Sequence, residues 1–159
     1  KIVGDLLIGL FVFVLFSSNS HSADISLSDE SIIIPGGDYN SQGASISITI
    51  TNSGNDPVEL TTVQLVAGGT TYYLYSSSAL PPNAKGSANA ISPIGASSAG
   101  SITIEPGQSV TLSGVVTPNT SGFNGLQLQT GQTVVILVSG LDTVTNQIVS
   151  QQVSVVVQD

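Results

Sequence analysis

Ala44-Ser45-Ile46-Ser47-Ile48-Thr49-Ile50-Thr51 alternates an apolar with a hydroxyl-bearing side chain without a break. Successive side chains of a strand point to opposite faces. The pattern therefore sets Ile46, Ile48 and Ile50 on a core and Ser45, Ser47 and Thr49 in water. Isoleucine and threonine are β-branched and suit a pleated surface.

The same period extends outward in both directions. Upstream, Ile25 and Leu27 alternate with polar neighbours, and Ser31-Ile32-Ile33-Ile34 ends at the turn Pro35-Gly36-Gly37-Asp38. Downstream, Asn52-Ser53-Gly54-Asn55-Asp56-Pro57 is a loop of turn formers. Strands follow over 58–66 and 70–75, with Gly68-Gly69 between them as a hairpin turn. Residues 76–100 are rich in Ala, Ser, Gly, Pro and Asn and lack a period; a stretch that long in a compact domain is a contact loop or a solvated one. Strands return over 101–104 and 109–116 around Glu105-Pro106-Gly107-Gln108, where Pro presets φ and Gly accepts a positive one. After a polar loop over 117–130, the last two strands are 132–139 and 147–157. Both contain consecutive apolar residues, Val134 to Val138 and Val155 to Val157, as expected of strands buried on both faces or packed on something outside the domain.

About seven or eight strands with a turn roughly every ten residues describe an immunoglobulin-like antiparallel β-sandwich. The chain lacks Cys and Trp, so the usual disulfide and its packing Trp are absent, and no thiolate metal site is possible. Charged residues make up 8% of the sequence, and the formal net charge is −8. Such a surface cannot displace counterions from phosphates, which excludes nucleic acid as a partner. Serine and threonine supply about a quarter of the residues, so the surface is wetted by hydroxyls at any pH. Those hydroxyls are possible glycan attachment points, and Asn119-Thr120-Ser121 is an N-glycosylation sequon.

Chemistry-bearing clusters are missing. His21 is the only histidine; alone it builds neither a zinc site nor a serine triad. The acids are scattered, with Asp29-Glu30 the one adjacent pair. A calcium site at Gly37-Asp38 or Asn55-Asp56 would suit an extracellular sandwich, but no calcium loop motif surrounds either. The sequence implies no enzyme and no cofactor.

One stretch differs from all of this. Residues 2–16 are almost wholly apolar, carry three of the four phenylalanines, and follow Lys1. As a helix they would span about 22 Å at 1.5 Å per residue, short of a bilayer core of about 30 Å. Taken alone, they read as a secretory signal peptide, with Ser17 to Ala23 as the cleavage region. Set beside a low-charge, hydroxyl-rich sandwich, they read as an N-terminal assembly helix. The expected fold is thus mainly β with one N-terminal α-helix. Its two parts are 1–23, the apolar helix with a Ser-rich connector, and 24–159, the sandwich head. Within the helix Asp5 would need a partner when buried, most simply the amine of Lys1 of another copy.

Three segments of the head, 48–58, 104–110 and 128–134, read strand then Asn-x-Gly and Pro-Val, Pro-Gly-x-Ser, and Thr-Gly-Gln-Thr. With the apolar N-terminal stretch, they resemble archaeal type IV pilins and archaellin-type subunits. The resemblance implies an extracellular, cell-surface filament serving adhesion. It implies self-association by bundling of the N-terminal helices in the filament core, through Lys1, Asp5, Leu6, Leu7, Leu10, Phe11, Phe13, Val14 and Phe16, with the membrane as a station before assembly, and glycosylated heads outside with a glycan at Asn119. The acid at the fifth position, Asp5, matches bacterial type IV pilins if Lys1 is the first mature residue. Two other readings stand beside it. In one, residues 1–23 are removed from a secreted or surface-anchored binding module. In the other, residues 1–16 lie as a donor strand in the sandwich of the next subunit.

Overall fold

The structure is a computed structural model, and it describes residues 21–96 and 100–159. Ten strands follow one another: β1 (Ile25–Ile33), β2 (Ala44–Asn52), β3 (Val58–Ala67), β4 (Thr70–Ser76), β5 (Lys85–Gly86), β6 (Ser92–Pro93), β7 (Thr103–Ile104), β8 (Ser109–Val116), β9 (Thr133–Asp142) and β10 (Ile148–Val156). They form two sheets in the orders β1-β2-β8-β6 and β10-β9-β3-β4-β5, with β7 on β3. Apart from the parallel pair β4–β5, every ladder is antiparallel. The long strands take the order of an immunoglobulin-type sandwich, in which the first, second and fifth long strands face the third, sixth and seventh.

The expectation of a mainly β fold with one N-terminal α-helix is corrected. Among the described residues the only helical pieces are a 3-10 turn, Pro35–Gly37, and one α turn of 4 residues, α1 (Tyr39–Gln42), so this part of the chain is all β. The physical reason lies in the period: from Ile25 onward apolar residues recur every second position, and Gly, Pro and Asn interrupt before a 3.6-residue pattern can build. The helix expected over 2–16 lies outside the described residues. No helix among the described residues is long and apolar enough to cross a membrane.

The core lies between the sheets. Ile46, Ile48 and Ile50 of β2 are fully buried against Leu60, Val63 and Leu65 of β3 and Ile136 and Val138 of β9. Each is worth about 1.5–3 kcal/mol over leaving it in water. On the outer face of the smaller sheet the hydroxyls of β2 and β8 pair across the strands, Thr49 with Thr111 at 2.8 Å and Thr51 with Ser109 at 2.6 Å. That end of the face is polar without charge, while at the other end Ile33 and Val115 are exposed on either side of Ser45. The Gly68-Gly69 hairpin has positive φ at both residues, as a two-residue type I′ turn requires.

The segments without a period are not free loops. Backbone bonds stitch the chain after β4 onto that strand: Ser76 to Ala88, Ser87 to Tyr73 and Ile91 to Leu74. Ile91 is fully buried. In the stretch before β9, Phe123, Leu126 and Leu128 are buried, and the Phe123 ring stacks on Tyr72 with centroids 6.0 Å apart.

Candidate functional site

Lys1, Asp5 and the apolar residues from Leu6 to Phe16 expected to carry assembly lie outside the described residues. The structure shows instead how the chain arriving from them enters the head. Residues 21–24 run through a bracket made by the β2–β3 loop on one side and the start of the β9–β10 connector on the other.

Asn52, fully buried at the end of β2, organises the first side. Its Nδ2 donates to the carbonyls of Asp56 at 2.8 Å and Ile104 at 2.9 Å, and its Oδ1 accepts the Gly54 amide at 3.0 Å. The loop so held presents its own backbone to the connector. The Ser53 amide donates to the Asp24 carbonyl at 2.9 Å, and the Asn55 amide donates to the Ser22 carbonyl at 2.8 Å. Gly54 lies flat against the connector: a Cβ there would stand 2.4 Å from the Asp24 nitrogen and 2.5 Å from the Ser22 carbonyl oxygen. No rotamer relieves a backbone clash of that kind, so glycine is required by space alone.

Asp142, 1% exposed, makes the second side. Its Oδ1 accepts the Val144 and Thr145 amides at 2.9 and 3.0 Å, and its Oδ2 accepts the Ala23 amide at 2.9 Å. The Thr145 amide above all, opposed by burial and helped by the Val144 and Ala23 amides, takes this carboxyl down to about 2. Asp56 closes the bracket. Its Oδ1 accepts from His21 Nδ1 at 2.9 Å, while its Oδ2 is buried and has no hydrogen-bond partner among the described residues. His21 itself is 63% exposed. The hydrogen bond to Asp56 and then the Asp56 charge raise the imidazole pKa.

These two shifts have opposite signs. A raised imidazole pKa gives a contribution complete below 6.5, its ordinary value, and lost as pH rises through the raised one. A lowered carboxyl pKa gives a contribution complete above 3.8 and lost as pH falls through about 2. Exchanging His21→Gln is therefore expected to lower the melting temperature in mild acid, near about pH 5. The difference from the parent should shrink above neutrality and vanish in mild alkali. A pH-independent difference would show that the ion pair does not act through charge.

The other expected sites are accounted for singly. Asn119 is exposed in the turn after β8, beside a Thr117–Thr120 hydroxyl pair at 2.8 Å. Asp38 caps α1 by accepting the Ser41 amide at 3.2 Å, and Asp56 is committed to His21. Among the described residues no group of three or more His, Cys, Asp or Glu could hold a metal. The bracket itself was only half readable. Asn52-x-Gly54 and Asp142-x-Val144 are recognisable as Asx turns, but nothing local pairs them with residues 21–24. No protein-family model matches the chain, and no curated protein matches it in sequence.

Proposed function

We propose that this chain is the structural subunit of an extracellular, cell-surface filament. Copies associate through residues 1–16 and display their β heads outward, for adhesion. The observation that carries the reading is the bracket. The chain bearing the apolar stretch is gripped over residues 21–24 by Asn55, Gly54, Asp56 and Asp142. A stretch that must transmit load between a filament and its heads needs a fixed seat of this sort. A discarded leader needs none, and removal after Ala23 would strip His21 from a buried carboxylate and the Ala23 amide from Asp142.

The hydroxyl-paired outer face and the exposed Asn119 turn fit a head that faces water and carries glycans. The membrane is the expected partner of the apolar stretch before assembly, and the chain's own copies are its partners afterwards. The experiment is mass spectrometry of the exported protein together with electron microscopy of the pelleted fraction. A mature chain that retains residues 1–20 and pellets as fibres supports the proposal. A mature chain beginning at Asp24 and remaining in the supernatant would favour the secreted binding module.

A further inference from the structure

The sandwich is open along one edge. Among the described residues the only ladder of β1 is with β2, and that of β10 with β9. The two strands are joined at one end, where the Ile34 amide donates to the Gln158 carbonyl and the Gln158 amide to that of Ile32, both at 2.8 Å. Before that point the edges part. A bulge between Ser28 and Ser31, with Asp29 at φ 53, turns β1 away, and a cleft of about 300 Å³ lies between Ile25, Leu27 and Glu30 on one side and Gln151 and Val153 on the other.

The cleft has three properties of an acceptor for a strand. Its two walls are backbone edges: beyond their single partner strands, Ile25 to Ser31 and Ile148 to Val155 make no backbone hydrogen bonds among the described residues. Its floor is core left incompletely covered. Leu27 sits beside fully buried Ile50, and Val153 beside fully buried Ile136, yet both are only partly buried; Gln151, beside Val138 on the same inner side, is exposed. Its rim is acidic. Asp24 and Glu30 line it, and the one ion pair among the described residues is His21–Asp56.

The chain has two lysines and no arginine, and its one histidine, His21, is taken by Asp56. Lys85 lies 5.9 Å from the Tyr72 ring centroid and is thereby placed elsewhere. Lys1 is the other, and it heads the apolar stretch. Nine residues of β10 extend about 30 Å at 3.3 Å each, which residues 2–16 exceed when extended. We infer that the open edge between β1 and β10 accepts residues 1–16 of a second copy as an added strand, its apolar side chains covering Leu27 and Val153 and Lys1 meeting an acid of the rim. Such a contact joins unlike surfaces of successive copies, which is the head-to-tail kind that builds a filament when its rotation does not close a ring. The inference rests on the filament reading and supplies its joint.

The absence of cysteine makes the test direct. Gln151→Cys is combined in the full chain, one at a time, with Leu6→Cys, Ile8→Cys, Leu10→Cys, Val12→Cys and Val14→Cys, and the assembled protein is oxidised and run on non-reducing gels. The expected result is a ladder of covalent multimers for one or two neighbouring positions, reversed by reductant, with most of the monomer band lost. Fibres in the microscope with no crosslink at any position overturn the added strand and leave the filament standing. Crosslinks confined to the monomer mean that a copy fills its own cleft, which overturns the joint between copies. If neither fibres nor multimers form, the filament reading falls with it.

Discussion

Gly86→Ala is expected to destabilise the head by about 3 kcal/mol or more, through backbone strain and a clash that no side chain can relieve. That should lower the melting temperature by roughly 10 °C in a domain of this size. Gly86 sits at φ 104, and a Cβ there would lie 2.1 Å from the Tyr73 carbonyl oxygen and 2.4 Å from the Tyr73 nitrogen. Gly122 rests on Gly86 in turn, at φ 88, with its own Cβ position 2.1 Å from the Gly86 oxygen. Three backbones are stacked there, tied by the Gly86 amide to Gly122 at 2.7 Å and the Ser87 amide to Tyr73 at 2.9 Å. Parting them would lift β5 off β4 and disturb the Phe123–Tyr72 stack. Gly107→Ala is the control. It too has positive φ, at 76, but nothing lies within 4 Å of its Cβ position, so only strain of about 1 kcal/mol is expected. Thermal unfolding of the two variants side by side measures the difference, and equal losses would refute the close packing.

Phe11→Arg is expected to abolish assembly while leaving the head folded. A charge placed in an apolar contact costs several kcal/mol. At 1.4 kcal/mol per tenfold change, the concentration needed for assembly should rise at least about a hundredfold. The core formed by the described residues runs from Ile25 to Val157, so the head's β-type circular dichroism and melting temperature should not move. Pelleting assays over a concentration series read the first effect and spectroscopy the second. Fibres formed at the parent's concentration would remove residues 1–16 from the contact.

The strands were legible where one face is buried and the other wet, which imprints period two on β2 and, less regularly, on β8; in β9 alternate residues are buried, but the apolar run from Val134 to Val138 hides the period. The bulges left fainter marks. Leu60-Thr61-Thr62-Val63 shifts the apolar phase by one residue, and the structure places a register break between Leu60 and Thr62, with the Thr61 hydroxyl donating to the Ser139 carbonyl at 2.9 Å. The stretch after β4 read as a loop because its order comes from backbone contacts, which leave no side-chain pattern; buried Ile91 was the only sign. The bracket's grip on residues 21–24 could not be read from spacing. It joins His21 to Asp56 across 35 positions and Ala23 to Asp142 across 119, and only the folded sandwich brings them together.

Consecutive valines at the C-terminus were expected to mean burial on both faces or a partner outside the domain. In β10 the structure buries Val155 at 7% exposure and leaves Val156 at 52% and Ile148 at 78%. Both alternate along β10 with inner-facing Gln151, Val153 and Val155, so they lie on the outer face of the sheet, away from the cleft. The apolar run thus puts one valine in the core and the next in water.

The most direct measurement is sedimentation of the chain 1–159 against a chain beginning at His21, at equal concentration and with circular dichroism on both. The expected result is polymer for the first and a folded monomer for the second. A monomer in both cases, or the same polymer in both, would contradict assembly through residues 1–16.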